Sequence, residues 1–434
     1  MRAAVVGAGP VGLVLGIALA RQGHEVLLVD RDSGPPASGR WQRRGVMQFA
    51  LPHFFRHPLR QVLLDLAPDL WDALVAAGGR PALPPGAPEE ATGLACRRET
   101  LERTLRQAAG HERRLTLLTA HADDIVREHG RVAGLVVDGE RVDADLVVSA
   151  AGRGSRFADD LRAPVEGGSC GFSYIARMYR ARHPEDAPVG LPSAAMYADY
   201  LAIVFPQDAA TSSVLIVRPT SDRALAGLRT GPQLEAVAAQ VPHLAPWVDR
   251  ERFEPLTDAM PGAGLTNTYR GQLDDNGRIP LPGAVFVGDA VSTTNPAAGR
   301  GVSLGLLQAR ELVRLIGEGN DRHDVALELD SWCATHIRPW FEDHVYWDET
   351  LLRRFAGEDI DVEARIPSDV VCAAAQVDPQ IAAASLPYIA MMAPPGVLDG
   401  VQERARAVLR TGWRPPVATG PSLAELGAVL RNAA

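Results

Sequence analysis

Residues 1–30 read Met1-Arg-Ala-Ala-Val-Val-Gly7-Ala-Gly9-Pro10-Val11-Gly12-Leu-Val-Leu-Gly-Ile-Ala-Leu-Ala-Arg21-Gln-Gly-His-Glu-Val-Leu-Leu-Val-Asp30. A short β-branched strand runs into a glycine turn, then a helix, then a second strand that closes on an acid. Each glycine has its own physical use. Gly7 permits the tight turn out of the strand, Gly9 lets a pyrophosphate approach bare backbone, and Gly12 lets the helix pack close to the sheet. Pro10 and Val11 stand at the helix N-terminus, whose free N–H groups and positive dipole end suit a phosphate. Asp30 lies 18 residues beyond Gly12, where an acid accepts hydrogen bonds from ribose hydroxyls. Arg31 follows it directly. The stretch predicts a dinucleotide-binding βαβ unit and leaves NAD against FAD open.

The chain has 434 residues, 46% apolar and 22% charged, with a net charge of −9. That is ample for more than one domain of ordinary globular composition. The negative charge argues against nucleic acid or an anionic membrane surface as a general partner. The first strand begins at once, so no leader peptide is expected. No run of about 18 apolar residues suggests a membrane span. Cys96, Cys170, Cys333 and Cys372 are scattered without a C-x-x-C pair, so neither a zinc site nor a disulfide framework is indicated. A cytoplasmic protein without metal is the expectation. All 44 cationic side chains are arginine. That composition fits a GC-rich bacterial genome, and it removes any chemistry that needs a lysine amine.

Beyond Asp30 a turn-rich segment leads to Trp41–Phe49, then a helical pattern over 58–77 and another from Arg98 to Ala108. Extended segments follow at Leu115–Thr119, Asp124–Glu128, Val132–Val137 and Arg141–Ala150, the last two joined by the hairpin signal Asp138-Gly139. Strands are expected at Gly171–Arg182, Leu201–Phe205, Ser212–Arg218 and Arg252–Met260, with helices at Gln233–Val241 and Leu244–Arg250. A buried strand Ala284–Gly288 and a helix Gly301–Glu318 return the chain to the first unit. From Asp321 to Phe355 runs one long helical pattern rich in aromatics, read as core packing, and helical pieces broken by prolines complete the chain.

The stretch Gly288-Asp289-Ala-Val-Ser-Thr-Thr-Asn295-Pro296-Ala-Ala-Gly299-Arg300-Gly301-Val302 decides between the two dinucleotides. A strand ends in Gly-Asp, a proline turn follows, and spaced glycines open a helix. Asp289 presents a carboxylate to a polyol chain, and the helix N-terminus faces an electron-rich ring edge. A molecule as long as FAD needs such a second clamp.

These motifs together resemble the flavin-dependent monooxygenases of the aromatic-hydroxylase class, with their glutathione-reductase-like FAD fold, over about residues 1–320. Gly7–Gly12 with Asp30 is similar to that family's ADP-binding turn, and Gly288-Asp289 with Pro296, Gly299, Arg300, Gly301 and Val302 to its riboflavin motif. Arg98, with Leu101 and Leu105, is similar to its arginine-headed helix. Arg44 and Gln48 fall where the family's chain runs beside the flavin. One departure stands out. At Val148-Ser-Ala-Ala151-Gly152-Arg153-Gly154-Ser155 an alanine, Ala151, replaces the family's usual aspartate, and the Gly-Arg-Gly-Ser form resembles flavin epoxidases, halogenases and isoprenoid reductases instead.

The resemblance implies an α/β architecture: a discontinuous Rossmann-like FAD-binding domain (1–165 and 273–320), a β-sheet substrate domain (166–272) and a C-terminal helical region (321–434). It implies FAD as cofactor, O2 as co-substrate, and NAD(P)H as direct or indirect electron source, with a separate flavin reductase as the indirect route given Ala151. The implied reaction is hydroxylation or epoxidation of a hydrophobic organic substrate, such as a natural-product intermediate, through a flavin C4a-hydroperoxide. The alternatives are a C=C reductase of the isoprenoid-reductase type or a cyclase without net redox. A halogenase would need a lysine beside the flavin. The candidate substrate wall is Tyr174, Arg177, Tyr197, Tyr200 and Phe205. His53, Tyr197 and Tyr200 are the candidates for catalysis, with a surface position the expectation for His53.

Overall fold

The computed structural model describes residues 1–37, 41–43, 45–319 and 321–433. At its centre is a five-stranded parallel sheet in the order Ala284–Phe286, Leu146–Ser149, Arg2–Val6, Glu25–Asp30, Leu115–Thr119. Its strands are valine- and leucine-rich because both faces are covered, which leaves no solvent side to demand alternation. The helix Pro10–Arg21 is buried almost all round and packs on the helices Arg98–Ala109 and Gly301–Gly317. Gly7 holds φ at +105°, and a Cβ there would run into the Ala150 carbonyl; a Cβ on Gly12 would run into that of Gly7. Helix and strand therefore meet backbone to backbone at the head of the sheet.

A six-stranded antiparallel sheet forms the second layer, in the order Ser193–Met196, Leu201–Pro206, Thr211–Pro219, Phe172–Ala181, Phe253–Pro255, with Met260–Gly262 also pairing Phe172–Ala181. Both of its faces are apolar, and the alternation sorts them. Tyr174, Ala176, Ile203, Phe205 and Leu215 face inward; Ile175, Tyr179, Ala202, Val204 and Ile216 face outward, onto the helix Gly231–Ala238 and the last helix, Leu423–Asn432. A small sheet of Glu166–Ser169, Thr266–Tyr269 and Ser292–Thr293 lies at the junction of the two layers.

Several elements differ from the sequence expectation for identifiable reasons. The helical pattern over 58–77 is two helices, His57–Leu66 and Asp69–Ala76, because Pro68 pushes Ala67 out of the helical region. Arg141–Ala150 is two strands. Glu140–Asp143 closes a hairpin with Arg131–Val137, while Leu146–Ser149 joins the parallel sheet. Arg252–Met260 likewise splits, its two parts pairing different stretches of one partner strand. Only a single 3₁₀ turn, Ala245–Trp247, forms within 244–250. The aromatic-rich stretch breaks at Ile337 into the helices Arg322–His336 and Arg338–Phe355, since Pro339 cannot donate to the preceding turn. No described helix is long and apolar enough to cross a membrane.

Candidate flavin-binding site

Between the two layers lies a cavity of about 140 Å³. Its near wall is made by the head of the parallel sheet: Gly9, Pro10 and Val11 from the first turn, Gly152 and Arg153 from the next, and Gly288 and Asp289 from the third. Pro296, Gly299, Arg300, Gly301 and Val302 close one end. Gln48, His53 and Arg98 close another, and Tyr174 and Phe205 descend from the antiparallel sheet. An adjoining cavity of about 380 Å³ is lined by Gly7, Asp30, Arg31, Arg43 and Ala151, and shares Arg153 with the first. Gly12 lies one turn inside, where it sets the close helix–strand packing.

Two helices end at this cavity with their first-turn N–H groups uncapped by any side chain: Pro10–Arg21 behind Gly9, and Gly301–Gly317 behind Arg300. Such an end attracts negative charge and electron-rich atoms. Gly9 leaves the approach open, since a Cβ there would merely touch Arg98 Nη2 at 3.8 Å. Gly288 and Gly299 hold φ at +71° and +67°, and this left-handed backbone forms the turns on either side of Asp289–Ala298. The Asp289 carboxylate opens into the cavity, and no donor among the described residues reaches it. Enclosure pushes its pKa up, with the Arg98 and Arg153 charges pulling the other way.

At the far end Asp30 is 7% exposed and already holds three donors. Its Oδ2 accepts from Ala8 N at 2.6 Å and Arg43 Nη2 at 2.6 Å, and its Oδ1 from Asp32 N at 2.8 Å. A carboxylate offers about four acceptor sites, so one is left for a ribose hydroxyl. Arg43 also donates to the fully buried Glu102 at 2.6 Å, whose other oxygen accepts from Arg98 Nε at 2.6 Å. Burial opposes the Arg43 charge, but Glu102 and Asp30 outweigh it and hold the guanidinium above its ordinary range. An acceptor for a ribose, uncapped amides with an arginine for a pyrophosphate, and an unpartnered carboxylate for a polyol chain thus lie in order along one path. The donor set fits FAD.

Other predicted residues lie elsewhere or behave differently. Arg177 is behind the sheet, donating to Glu235 and to the Thr257 carbonyl, both at 2.7 Å. The alternation explains this, since Tyr174 and Arg177 are three apart and must point to opposite faces. Tyr197 and Tyr200 stack on each other at 4.6 Å in the outer core and reach neither cavity. The Arg300 backbone lines the cavity, but its side chain turns away, to Asp343 and His344 at 3.2 Å and over the rings of Trp340 and Tyr388. His53 is not a surface residue. It lines the cavity, its Nδ1 lies 2.8 Å from the Leu51 carbonyl, and burial followed by the Arg98 charge takes its pKa down to about 3. Arg44 falls outside the described residues. Sequence reasoning missed Arg43, Arg153 and Glu102. Arg43 and Arg153 stood in stretches already singled out, but in coil, where no periodicity chooses between neighbouring arginines. Glu102 is one helical turn beyond Arg98, a spacing that could have found it.

Residues 5–72 match the family model of the NAD(P)-binding Rossmann-like domain. No curated protein matches the chain in sequence. Among solved structures it is similar to the flavin-dependent brominase Bmp2, at 16% identity and a TM-score of 0.60 over 84% of this chain and 96% of that one. It is also similar to pqsL, a probable FAD-dependent monooxygenase from Pseudomonas aeruginosa, at 16% and 0.63 over 82% and 98%. This is the fold of the FAD-dependent monooxygenases. A third structure, the tetrameric form of 2-methyl-3-hydroxypyridine-5-carboxylic acid oxygenase, aligns at 19% and 0.58 over 82% and 91%. At such identities the shared property is the fold, and the chemistry has to be argued from the residues.

Proposed function

We propose that the chain is an FAD-dependent monooxygenase that places one oxygen atom of O2 on a hydrophobic organic molecule, by hydroxylating or epoxidising it. The observation that carries this reading is the convergence on one cavity of the unpartnered Asp289 carboxylate, two uncapped helix N-termini and the inner apolar face of the antiparallel sheet. FAD, when bound, supplies the activation of O2. The near wall holds the cofactor: Arg98 and the Gly9–Val11 amides for the pyrophosphate, Asp30 for the adenosine ribose, Asp289 for the ribityl hydroxyls, and the Gly301–Val302 end for the ring edge.

The far wall excludes water and presents the substrate. Phe205 and Leu215 give an apolar surface. Burial pushes the Tyr174 phenol up to about 12, so at neutral pH it stays protonated and donates a hydrogen bond. His53 is neutral. Its Nδ1 carries the proton, because the Leu51 carbonyl beside it only accepts, and Nε2 is left as an acceptor. Ala151 lines the adenosine-side cavity, where the resembled family carries an acid. We therefore assign electron supply to a separate flavin reductase drawing on NAD(P)H. A natural-product intermediate is the substrate class that suits an apolar wall with so few polar groups. Two fold neighbours are named with organic acids, 2-aminobenzoylacetate in a PqsL complex and 2-methyl-3-hydroxypyridine-5-carboxylic acid for the oxygenase.

The test is to load the purified chain with FAD, supply electrons from a flavin reductase, and follow O2 uptake against product. One O2 consumed per oxygenated product is expected. Turnover under strict anaerobiosis would overturn the reading. A product reduced by two electrons without O2 uptake would assign a C=C reductase, and isomerisation without electrons a cyclase.

A further inference from the structure

Behind the Pro296–Ala298 turn lies a second cavity, of about 520 Å³. Ala297 lines both cavities, so the two adjoin at this turn. One wall continues the inner face of the antiparallel sheet: Phe172, Ile203 and Val217 stand beside the Tyr174, Phe205 and Leu215 that serve the first cavity. Trp347 and Leu351 of the helix Arg338–Phe355 form the opposite wall. The volume falls in the range that takes drug-sized molecules, roughly 300–1,000 Å³.

Ala194–Met196, Leu201 and Pro415–Ala418 extend the apolar lining, and Arg56 is the arginine among a few polar groups. Arg56 donates through Nε and Nη2 to the Ala298 carbonyl at 3.0 and 2.7 Å, and through Nη1 to that of Ile389 at 2.6 Å. A guanidinium has about five N–H donors, so some are left over, and no carboxylate among the described residues pairs with it. Trp347 Nε1, His344 Nδ1 and Asp369 Oδ1 have no partner but are closed off by their neighbours, so none of them opens on the cavity. His344 is 1% exposed. The charges here are also unequal. Asp369 is paired with Arg354, and Asp348 sits between the amides of Asn267 and Asn295, whereas Arg56 has only carbonyls.

We propose that this second cavity seats the bulk of the organic substrate, a mainly apolar molecule whose acidic oxygen, a carboxylate or an enolate, accepts hydrogen bonds from the remaining N–H groups of Arg56. Calling this ligand the substrate rests on the monooxygenase reading; the binding itself does not. The apolar body lies along Phe172, Ile203 and Val217, and the reacting end passes beside Ala297 into the first cavity.

Dansylaminoundecanoic acid, with its methyl ester as the neutral control, serves as a fluorescent probe on the FAD-loaded chain. One acid molecule should bind per chain, with the ester weaker by roughly tenfold or more, as expected for a hydrogen-bonded charge. Arg56→Gln should weaken the acid several-fold and leave the affinity for the ester unchanged. Ala373→Trp, which fills the cavity from a wall residue outside the first one, should abolish binding. Equal affinity for acid and ester, no binding of either, or binding indifferent to Ala373→Trp would each overturn the proposal. The titration needs neither O2 nor electrons. Probe binding without O2-dependent turnover would therefore sink the monooxygenase reading alone, and turnover without probe binding would sink this proposal alone.

Discussion

Asp348 offers the sharpest physical test of the site's architecture. It is 4% exposed and receives Asn267 Nδ2 at 2.7 Å and Asn295 Nδ2 at 3.0 Å. Burial outweighs those two donors and pushes its pKa up to about 7. In the unfolded chain an aspartate titrates near ~3.9. Between those values the folded protein holds a proton that the unfolded chain has released, so raising the pH through this window lowers stability, and the loss is complete above the folded pKa. A gap of about three pH units at about 1.36 kcal/mol each gives an upper figure of about 4 kcal/mol. Asp348→Asn removes the titration at a separate cost. Asn267 Oδ1 is held by Asn295 N at 2.6 Å and Asn295 Oδ1 by Ala297 N at 3.1 Å, so neither amide can turn over. One N–H of the new amide would then face another N–H, a loss of about 1–3 kcal/mol at every pH. Urea unfolding at a series of pH values should show wild-type stability falling from pH ~5 to ~8. The variant should be weaker at the acid end and flatter across the window, with the two curves converging as pH rises. Parallel profiles for the two proteins would refute the assignment of that proton to Asp348.

Three further outcomes follow from the geometry. Asp289→Ala should weaken FAD binding by roughly tenfold or more, the value of charge-assisted hydrogen bonds to hydroxyls; a fluorescence titration with FAD checks it, and unchanged affinity would void the cofactor map. Arg177→Met should cost about 1–3 kcal/mol in urea unfolding, because it takes a donor from the Thr257 carbonyl and from Glu235, which keeps only Arg250 and the Tyr179 hydroxyl, while the folded fraction binds FAD as before. Tyr200→Phe should leave stability equal or raise it by up to about 1 kcal/mol in thermal unfolding, since the Tyr200 hydroxyl is buried without a partner.

Those substitutions also mark where the sequence was and was not legible. The Gly7–Asp30 unit and the Gly288–Val302 turn are local. Their glycines are required by backbone contacts within a few residues or across one strand pair, and a motif carries that information by itself. Membership of the cavity wall is different. Tyr174 and Arg177 both read as strand residues with functional chemistry, and only the register of Phe172–Ala181 against its neighbours decides that the tyrosine faces in and the arginine out. One residue of slip would exchange them. Tyr197 was assigned inward on aromaticity alone, yet the strand Ser193–Met196 ends one residue earlier and the ring turns outward. His53 misled in the opposite sense. Nothing in a coil segment signals burial, so its place in the wall appears only once Leu51 and Phe55 are packed around it. Trp347, read as packing, is half in the core and half in a cavity wall, a distinction that helical spacing cannot make.

The last quarter of the chain, legible only as broken helices, turns out to hold the Pro296–Ala298 turn in place from three directions. Arg56 ties the Ala298 carbonyl to that of Ile389. Asp348 holds Asn295, the residue before Pro296. Arg300, 2% exposed, is clamped by Asp343 at 3.2 Å and enclosed by Trp340 and Tyr388, whose hydroxyl donates to the same Asp343 oxygen at 2.6 Å. Every one of these contacts engages a residue between Asn295 and Arg300, next to Gly301, whose helix end faces the cavity. Without the region from 321 onward, Arg300 would lose both its counter-charge and the rings that enclose it, and its side chain would open to solvent. The proline turn would also lose the carboxylate that orients Asn295. The C-terminal helices therefore belong to the wall of this cavity as structural members. They fix the backbone whose N–H groups face the cavity, which is the condition for those groups to act on the proposed cofactor without reorganising.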